Sequence, residues 1–159
     1  MSVRILATGG TFDKRYDPIA GSLTFTETAI DQLLAPPQAA YPVEQLMQID
    51  SLEMTDEHRR QLGNACRHAD ERRLVVVHGT DTMVESAATI AAMVTDKTVV
   101  LTGAMVPHSV IGSDAAFNLG FALAAARCLP SGVWIAMHGE LHDWRQVHKN
   151  RAIGRFQAS

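Results

Sequence analysis

Apolar residues fall along this chain in short continuous runs, separated by longer stretches with helical spacing. Val3–Ala7, Val43–Ile49, Leu74–Val77, Val99–Leu101 and Val133–Met137 read as strands. Leu74–Val77 has no polar alternation, as expected of a central parallel strand covered on both faces. Glu27–Leu34 reads as a helix that Ala35-Pro36-Pro37 stops. Thr55 caps another, whose first turn carries Asp56 and Glu57 at the positive end of the helix dipole. In that helix Leu62, Ala65, Cys66 and Ala69 form one apolar stripe, with Arg59, Arg60 and Arg67 off it. Met83–Val94 and Ala115–Leu129 are apolar on nearly every side, so each is sandwiched or lies at a subunit interface. Phe12–Thr26 is polar and interrupted by Pro18 and Gly21, which predicts no regular element and high mobility in the free protein. The alternation predicts an α/β three-layer domain with a mostly parallel central sheet flanked by helices.

The 159 residues suit one domain over 1–159. With 47% hydrophobic and 19% charged residues the balance is that of an ordinary soluble protein. A net charge of −3 without any long basic run gives no sign of nucleic acid or an anionic membrane as partner. Cys66 and Cys128 have no metal or redox spacing and read as reduced, buried thiols. Met1 leads directly into the first strand, and no apolar run approaches a membrane span, so a cytoplasmic location is the expectation.

A hydroxyl becomes a nucleophile only when a neighbour takes its proton. Ala7-Thr8-Gly9-Gly10-Thr11 and His78-Gly79-Thr80-Asp81-Thr82 each follow an apolar strand and so put hydroxyls at its C-terminal edge. If the two strands share a parallel sheet, Thr11 and Thr80-Asp81 face one crevice, where open α/β sheets bind small ligands. Two threonines, a carboxylate and closely spaced backbone N–H groups suit attack on a carbonyl better than phosphate binding. Each segment also has a plain structural reading. Gly9-Gly10 can simply redirect the chain, and Thr82-Met83-Val84-Glu85 has the pattern of a capping box, which leaves Thr80 and Asp81 unused. The chain has three lysines: Lys14, Lys97, which reads as solvated, and Lys149, which could fold back on the sheet edge and orient Thr80. His138 and His142 have the spacing of a metal pair on a helix, but Gly139 and the strand pattern before it read against a helix there. His148, beside Lys149, is the histidine placed to alter the site near neutral pH.

Taken together, Ala7-Thr8-Gly9-Gly10-Thr11, Asp50-Ser51-Leu52-Glu53-Met54, His78-Gly79-Thr80-Asp81-Thr82-Met83, Thr102-Gly103-Ala104-Met105, Phe117-Asn118-Leu119 and the segment into Lys149 resemble the bacterial-type L-asparaginases, over about residues 3–150. The resemblance implies an amidohydrolase that converts L-asparagine, with L-glutamine as a second candidate substrate, without metal or organic cofactor. It implies Thr11 as nucleophile, Tyr16 as a loop tyrosine that closes over substrate, and Thr80, Asp81 and Lys149 as the second catalytic group. Asp81 would also grip the substrate's α-ammonium. The implied substrate contacts are Gly10, Ser51, Glu53, Gly79 and Ala104, with Ser51 on the α-carboxylate and the Ala104 backbone on the amide being cleaved. In the reaction that the resemblance implies, Thr11 attacks, ammonia leaves, and water hydrolyses the acyl-threonine ester.

The chain departs from the family's pattern in several places. Leu52 stands where a polar residue is common, Glu53 where aspartate is usual, and Asn150-Arg151 where threonine-rich sequence follows the lysine. The family's usual C-terminal domain, which lends polar residues to a neighbour's site, is absent from 1–159. A homodimer, with Ala115–Leu129 as its candidate surface, is therefore expected. A catalytically weak amino-acid-binding module, an amidotransferase subunit or an N-terminal fragment are the alternative readings.

Overall fold

The computed structural model describes residues 2–159; Met1, on which the expected direct start into the first strand rests, lies outside them. A six-stranded sheet forms the middle layer. Its strands are β1 (Arg4–Gly9), β4 (Val43–Ile49), β5 (Arg73–Val77), β6 (Thr98–Thr102), β7 (Gly132–Met137) and β8 (Glu140–Asp143), in the order β4-β1-β5-β6-β7-β8. The first five are parallel and β8 runs antiparallel to β7, so the predicted mostly parallel sheet is present. A two-residue turn, His138-Gly139, joins β7 to β8, with φ of 56° and 78°. Both residues take the left-handed conformation that tight hairpins require, so His138 and His142 share no helix.

Side chains alternate across the strands and build two cores. Ile5, Ala7, Val75, Val77 and Val100 pack on one face with α1 (Ile30–Leu34) and α4 (Ala115–Cys128). Leu6, Leu74, Val76, Val99 and Leu101 pack on the other with α2 (Asp56–His68) and α3 (Met83–Met93). The crossovers through α1, α2 and α3 combine direction and face in the same hand. The β6–α4–β7 crossover moves along the sheet in the same direction as β5–α3–β6 but uses the opposite face. It therefore has the other hand, against the strong right-handed rule for parallel strands.

That crossover needs a specific loop between β6 and α4, and side chains hold it. Asp114 accepts from the Met105 and Val106 N–H groups, and Asn118 Nδ2 donates to both Gly103 O (2.9 Å) and Asp114 Oδ2 (2.8 Å). Asn118 Oδ1 also accepts from His138 N, so one buried amide ties the ends of β6 and β7 to the start of α4.

Several expectations require correction. Phe12–Thr26 contains a regular antiparallel hairpin, β2 (Lys14–Asp17) and β3 (Ser22–Phe25). Asp17 Oδ1 accepts from Ile19 N and Ala20 N, and Gly21 turns at a φ of 64°, so Pro18 and Gly21 build the turn instead of breaking the segment. The helix expected from Glu27 begins only at Ile30. Lys97 is buried, with Nζ donating to Ala69 O, whereas Cys128 is exposed; both cysteines are free. Among the described residues no helix is long and apolar enough to cross a membrane.

Candidate active site

Every parallel strand ends at the same sheet edge, so the segments after β1, β4, β5 and β6 meet there. The chain from β1 first runs one way to β4 and later the other way to β5, which makes the gap beside β1 the topological switch point where such sheets bind ligands. Thr8 Oγ1 donates to Val77 O at 2.9 Å and fixes β1 against β5 at this edge.

Two glycines bring the segments together. A Cβ on Gly10 would lie 2.5 Å from the Gly79 Cα and N, and Gly10 has a φ of 70°. A Cβ on Gly79 would lie 2.7 Å from both the Cβ and Oγ of Ser51. The turns after β1 and β5 thus touch backbone to backbone at Gly10 and Gly79, and the turn after β4 packs its Ser51 side chain on Gly79, with Thr11 and Thr80 immediately following. Thr11 is partly exposed at the start of a single 3-10 turn, and its hydroxyl has no hydrogen-bond partner among the described residues.

Ser51 is buried, and its contacts show that Thr82 does not cap α3. The Thr82 hydroxyl donates to Ser51 O at 2.7 Å, and Ser51 Oγ accepts from Thr82 N at 3.4 Å. The expected capping box is replaced by a clamp that holds Ser51 at the N-terminal end of α3, where the dipole favours an anion. Ala104 is buried directly after β6. Glu53 is exposed, and its side chain makes no hydrogen bond or ion pair among the described residues.

Lys149 reaches this edge from a second hairpin, β9 (Val147–Asn150) and β10 (Arg155–Ala158). Its Nζ donates to Thr80 Oγ1 at 2.7 Å and to Asp81 Oδ1 at 2.9 Å. Arg151 Nε stands 3.4 Å from the same Asp81 oxygen. His148, the adjacent residue, points away as strand alternation requires; it is exposed and its Nδ1 faces Ser159 Oγ at 3.4 Å. It is not part of the cluster, contrary to expectation. Tyr16 lies on β2, is 64% exposed and has no hydrogen bond to Thr11.

Three groups contribute for which the sequence alone suggests no role. His78 is fully buried, with Nδ1 against Gly79 O at 2.7 Å and Nε2 against Ser86 Oγ at 2.8 Å. A carbonyl only accepts, so Nδ1 carries the proton and the Ser86 hydroxyl donates to Nε2. Burial drives the pKa of His78 down to about 4, and the ring is neutral at pH 7. Asp13 is also buried. Its Oδ1 accepts from Thr28 Oγ1 and Ala29 N, closing the base of the β2–β3 hairpin, while Oδ2 has no hydrogen-bond partner among the described residues. Burial raises the pKa of this carboxyl despite those hydrogen bonds. Lys14 Nζ pairs with Asp50 Oδ2 and holds that carboxyl below its usual pKa, joining the hairpin to the Ser51 turn.

Among the described residues no group of His, Cys, Asp or Glu is arranged to hold a metal ion. An apolar cleft of about 450 Å³ between α1 and α4 is lined by none of the clustered residues. What the cluster offers chemically is a free hydroxyl at Thr11, a hydroxyl on a lysine at Thr80, and a buried serine at a helix N-terminus.

Comparison with known proteins gives a consistent result. The family model "Asparaginase, N-terminal" matches residues 2–157. The glutaminase-asparaginase of Pseudomonas fluorescens biotype A is 32% identical, over 93% of this chain and 45% of its own length. A glutamyl-tRNA(Gln) amidotransferase subunit of Thermococcus kodakarensis is 35% identical, over 99% of this chain and 38% of its own. Among solved structures, the thermostable L-asparaginase from Thermococcus kodakarensis superposes with a TM-score of 0.88 at 27% identity, covering 99% of this chain and 51% of that one. A probable cytoplasmic L-asparaginase from Campylobacter jejuni gives 0.84 at 32% identity, covering 99% and 52%. The chain spans about half, or less, of the length of these proteins.

Proposed function

Since the chain belongs to the asparaginase family through that family's N-terminal domain, we propose that it is an amidohydrolase acting on the side-chain amide of L-asparagine, with L-glutamine as a second candidate, through an acyl-threonine intermediate. The observation that carries this reading is the Lys149–Thr80–Asp81 contact set, brought beside Thr11 by the Gly10–Gly79 approach. Thr11 Oγ attacks the amide carbon. Its proton passes to the departing nitrogen, ammonia leaves, and an ester to Thr11 remains. Water then adds to the ester carbonyl, gives up a proton towards Thr80 and Lys149, and releases the acid while Thr11 regains its hydrogen. Ser51 holds the substrate carboxylate at the α3 N-terminus. Gly10, Gly79 and the Ala104 backbone line the approach to the amide.

Tyr16 serves this chemistry only if its hairpin folds inward over bound substrate, which excludes water and brings its hydroxyl to Thr11. Glu53, on the turn that carries Ser51, is a further substrate contact in this reading. The reading also takes 1–159 as one working domain in the cytoplasm. It further takes a dimer to form through α4, whose outer side exposes Ala116, Phe117, Gly120 and Ala124.

The test is ammonia release from L-asparagine and L-glutamine by the purified chain, beside Thr11→Ala and Thr80→Val. Turnover abolished in both variants supports the reading; turnover that survives in both overturns it. The similarity to glutamyl-tRNA(Gln) amidotransferase subunits favours a second reading, in which the chain releases ammonia for a partner protein. Asparagine binding without turnover in the isolated chain would select it.

A further inference from the structure

We infer that Arg151 biases this site toward carboxamide acids that carry no free α-ammonium; the inference rests on the amidohydrolase reading and narrows its substrate class. Asp81 Oδ1 is 2.9 Å from Lys149 Nζ and 3.4 Å from Arg151 Nε, and an Arg151 terminal nitrogen is 3.5 Å from the Asp81 carbonyl. One carboxylate thus stands between two cations, and the guanidinium stays charged at any working pH. A free amino acid seated on Asp81 would add a third cation to this group. Of the neighbouring charges, Lys14 and Asp50 already pair with each other, and Glu53, on the Ser51 turn, makes no ion pair with Lys149 or Arg151. An acid whose α-carbon bears hydrogen, or an uncharged acylamino group, brings its carboxylate to Ser51 without that repulsion.

Three of the turns at this end of the molecule also carry exposed apolar side chains. Leu52, Ile111 and Ile153 are 61%, 102% and 56% exposed. They lie on the Ser51 turn, the β6–α4 loop and the turn that carries Arg151. Apolar side chains left in water on these turns suit an acyl chain better than an ammonium.

The experiment measures kcat/KM for ammonia release from succinamate, N-acetyl-L-asparagine and L-asparagine by the intact chain, Arg151→Thr and Arg151→Lys. The chain should favour succinamate over L-asparagine by about fivefold, the scale of one exposed ion pair. Arg151→Thr should remove that preference, and Arg151→Lys should keep most of it. A chain that prefers L-asparagine, or a ratio that Arg151→Thr leaves unchanged, overturns the inference while the amidohydrolase reading stands. Without measurable turnover, calorimetric binding of succinate against L-aspartate reads the same ratio. Failure of both acids to bind removes the amidohydrolase reading and the inference with it.

Discussion

Lys149 lies 69 residues beyond Thr80, yet its ammonium donates to the Thr80 hydroxyl at 2.7 Å. The reach is set by the β9–β10 hairpin, in which Lys149 sits directly opposite Phe156. Phe156 and Val147 are buried in the core shared with α2 and α3, so the hairpin is anchored from below while Lys149 faces the sheet edge.

Lys149→Met keeps the length of the side chain and removes its charge. Ammonia release should fall by about 10²–10⁴-fold, the range for a group that assists proton transfer. The thermal midpoint should stay within a few degrees, because Lys149 contributes to no hydrophobic core.

Phe156→Ala should weaken catalysis from a distance. Truncating a buried aromatic side chain costs about 3–5 kcal/mol, and here the loss falls on the hairpin that positions Lys149. Denaturant unfolding should show the destabilisation, and activity well below the unfolding midpoint should already be reduced. Unchanged activity would mean the hairpin holds its place without Phe156.

Gly10→Ala should be worse than Gly79→Ala. The first forces a Cβ to within 2.5 Å of backbone and keeps a φ of 70°, whereas the second presses on the Ser51 side chain. Overpacking of this kind costs about 1–3 kcal/mol, and the left-handed conformation adds about 1 kcal/mol for alanine. Urea midpoints of the two variants rank them directly.

His78 makes stability depend on acid. Its folded-state pKa is about 4, below the ordinary value of about 6.5 for the unfolded chain. The unfolded state therefore binds the proton first. Stability is level above about pH 6.5 and falls as the pH drops towards 4, by up to about 3 kcal/mol. Unfolding free energies at pH 7.5, 5.5 and 4.5 should show this decline. His78→Asn should be less stable at pH 7.5 but flatter across the series.

The sheet is legible in the chain because its strands are short apolar runs with no competing periodicity, Leu74–Val77 above all. The Thr11, Thr80, Asp81 and Lys149 set is legible as motif, and Lys149 does fold back as its position allows. The β2–β3 and β9–β10 hairpins are not. Their strands are four residues long and almost wholly exposed or half-buried, so hydrophobic alternation is missing and pairing is carried by turns such as Asp17–Gly21. Lys97 misleads for a related reason: no local pattern marks a lysine whose acceptor, Ala69 O, lies 28 residues away. Thr82 has the sequence of a cap, but its hydroxyl finds Ser51 O, a partner supplied by the fold alone. His78 is legible only as a member of its motif and Asp13 not at all, since burial gives them their properties.

The most direct test of the central claim is peptide mapping by mass spectrometry of an acid-quenched reaction with L-asparagine or succinamate. An acyl adduct is expected on the peptide that contains Thr11, lost in Thr11→Ala and accumulating in Lys149→Met, where water attack is slowed. An adduct on Thr80, or ammonia release that survives in Thr11→Ala, would contradict it.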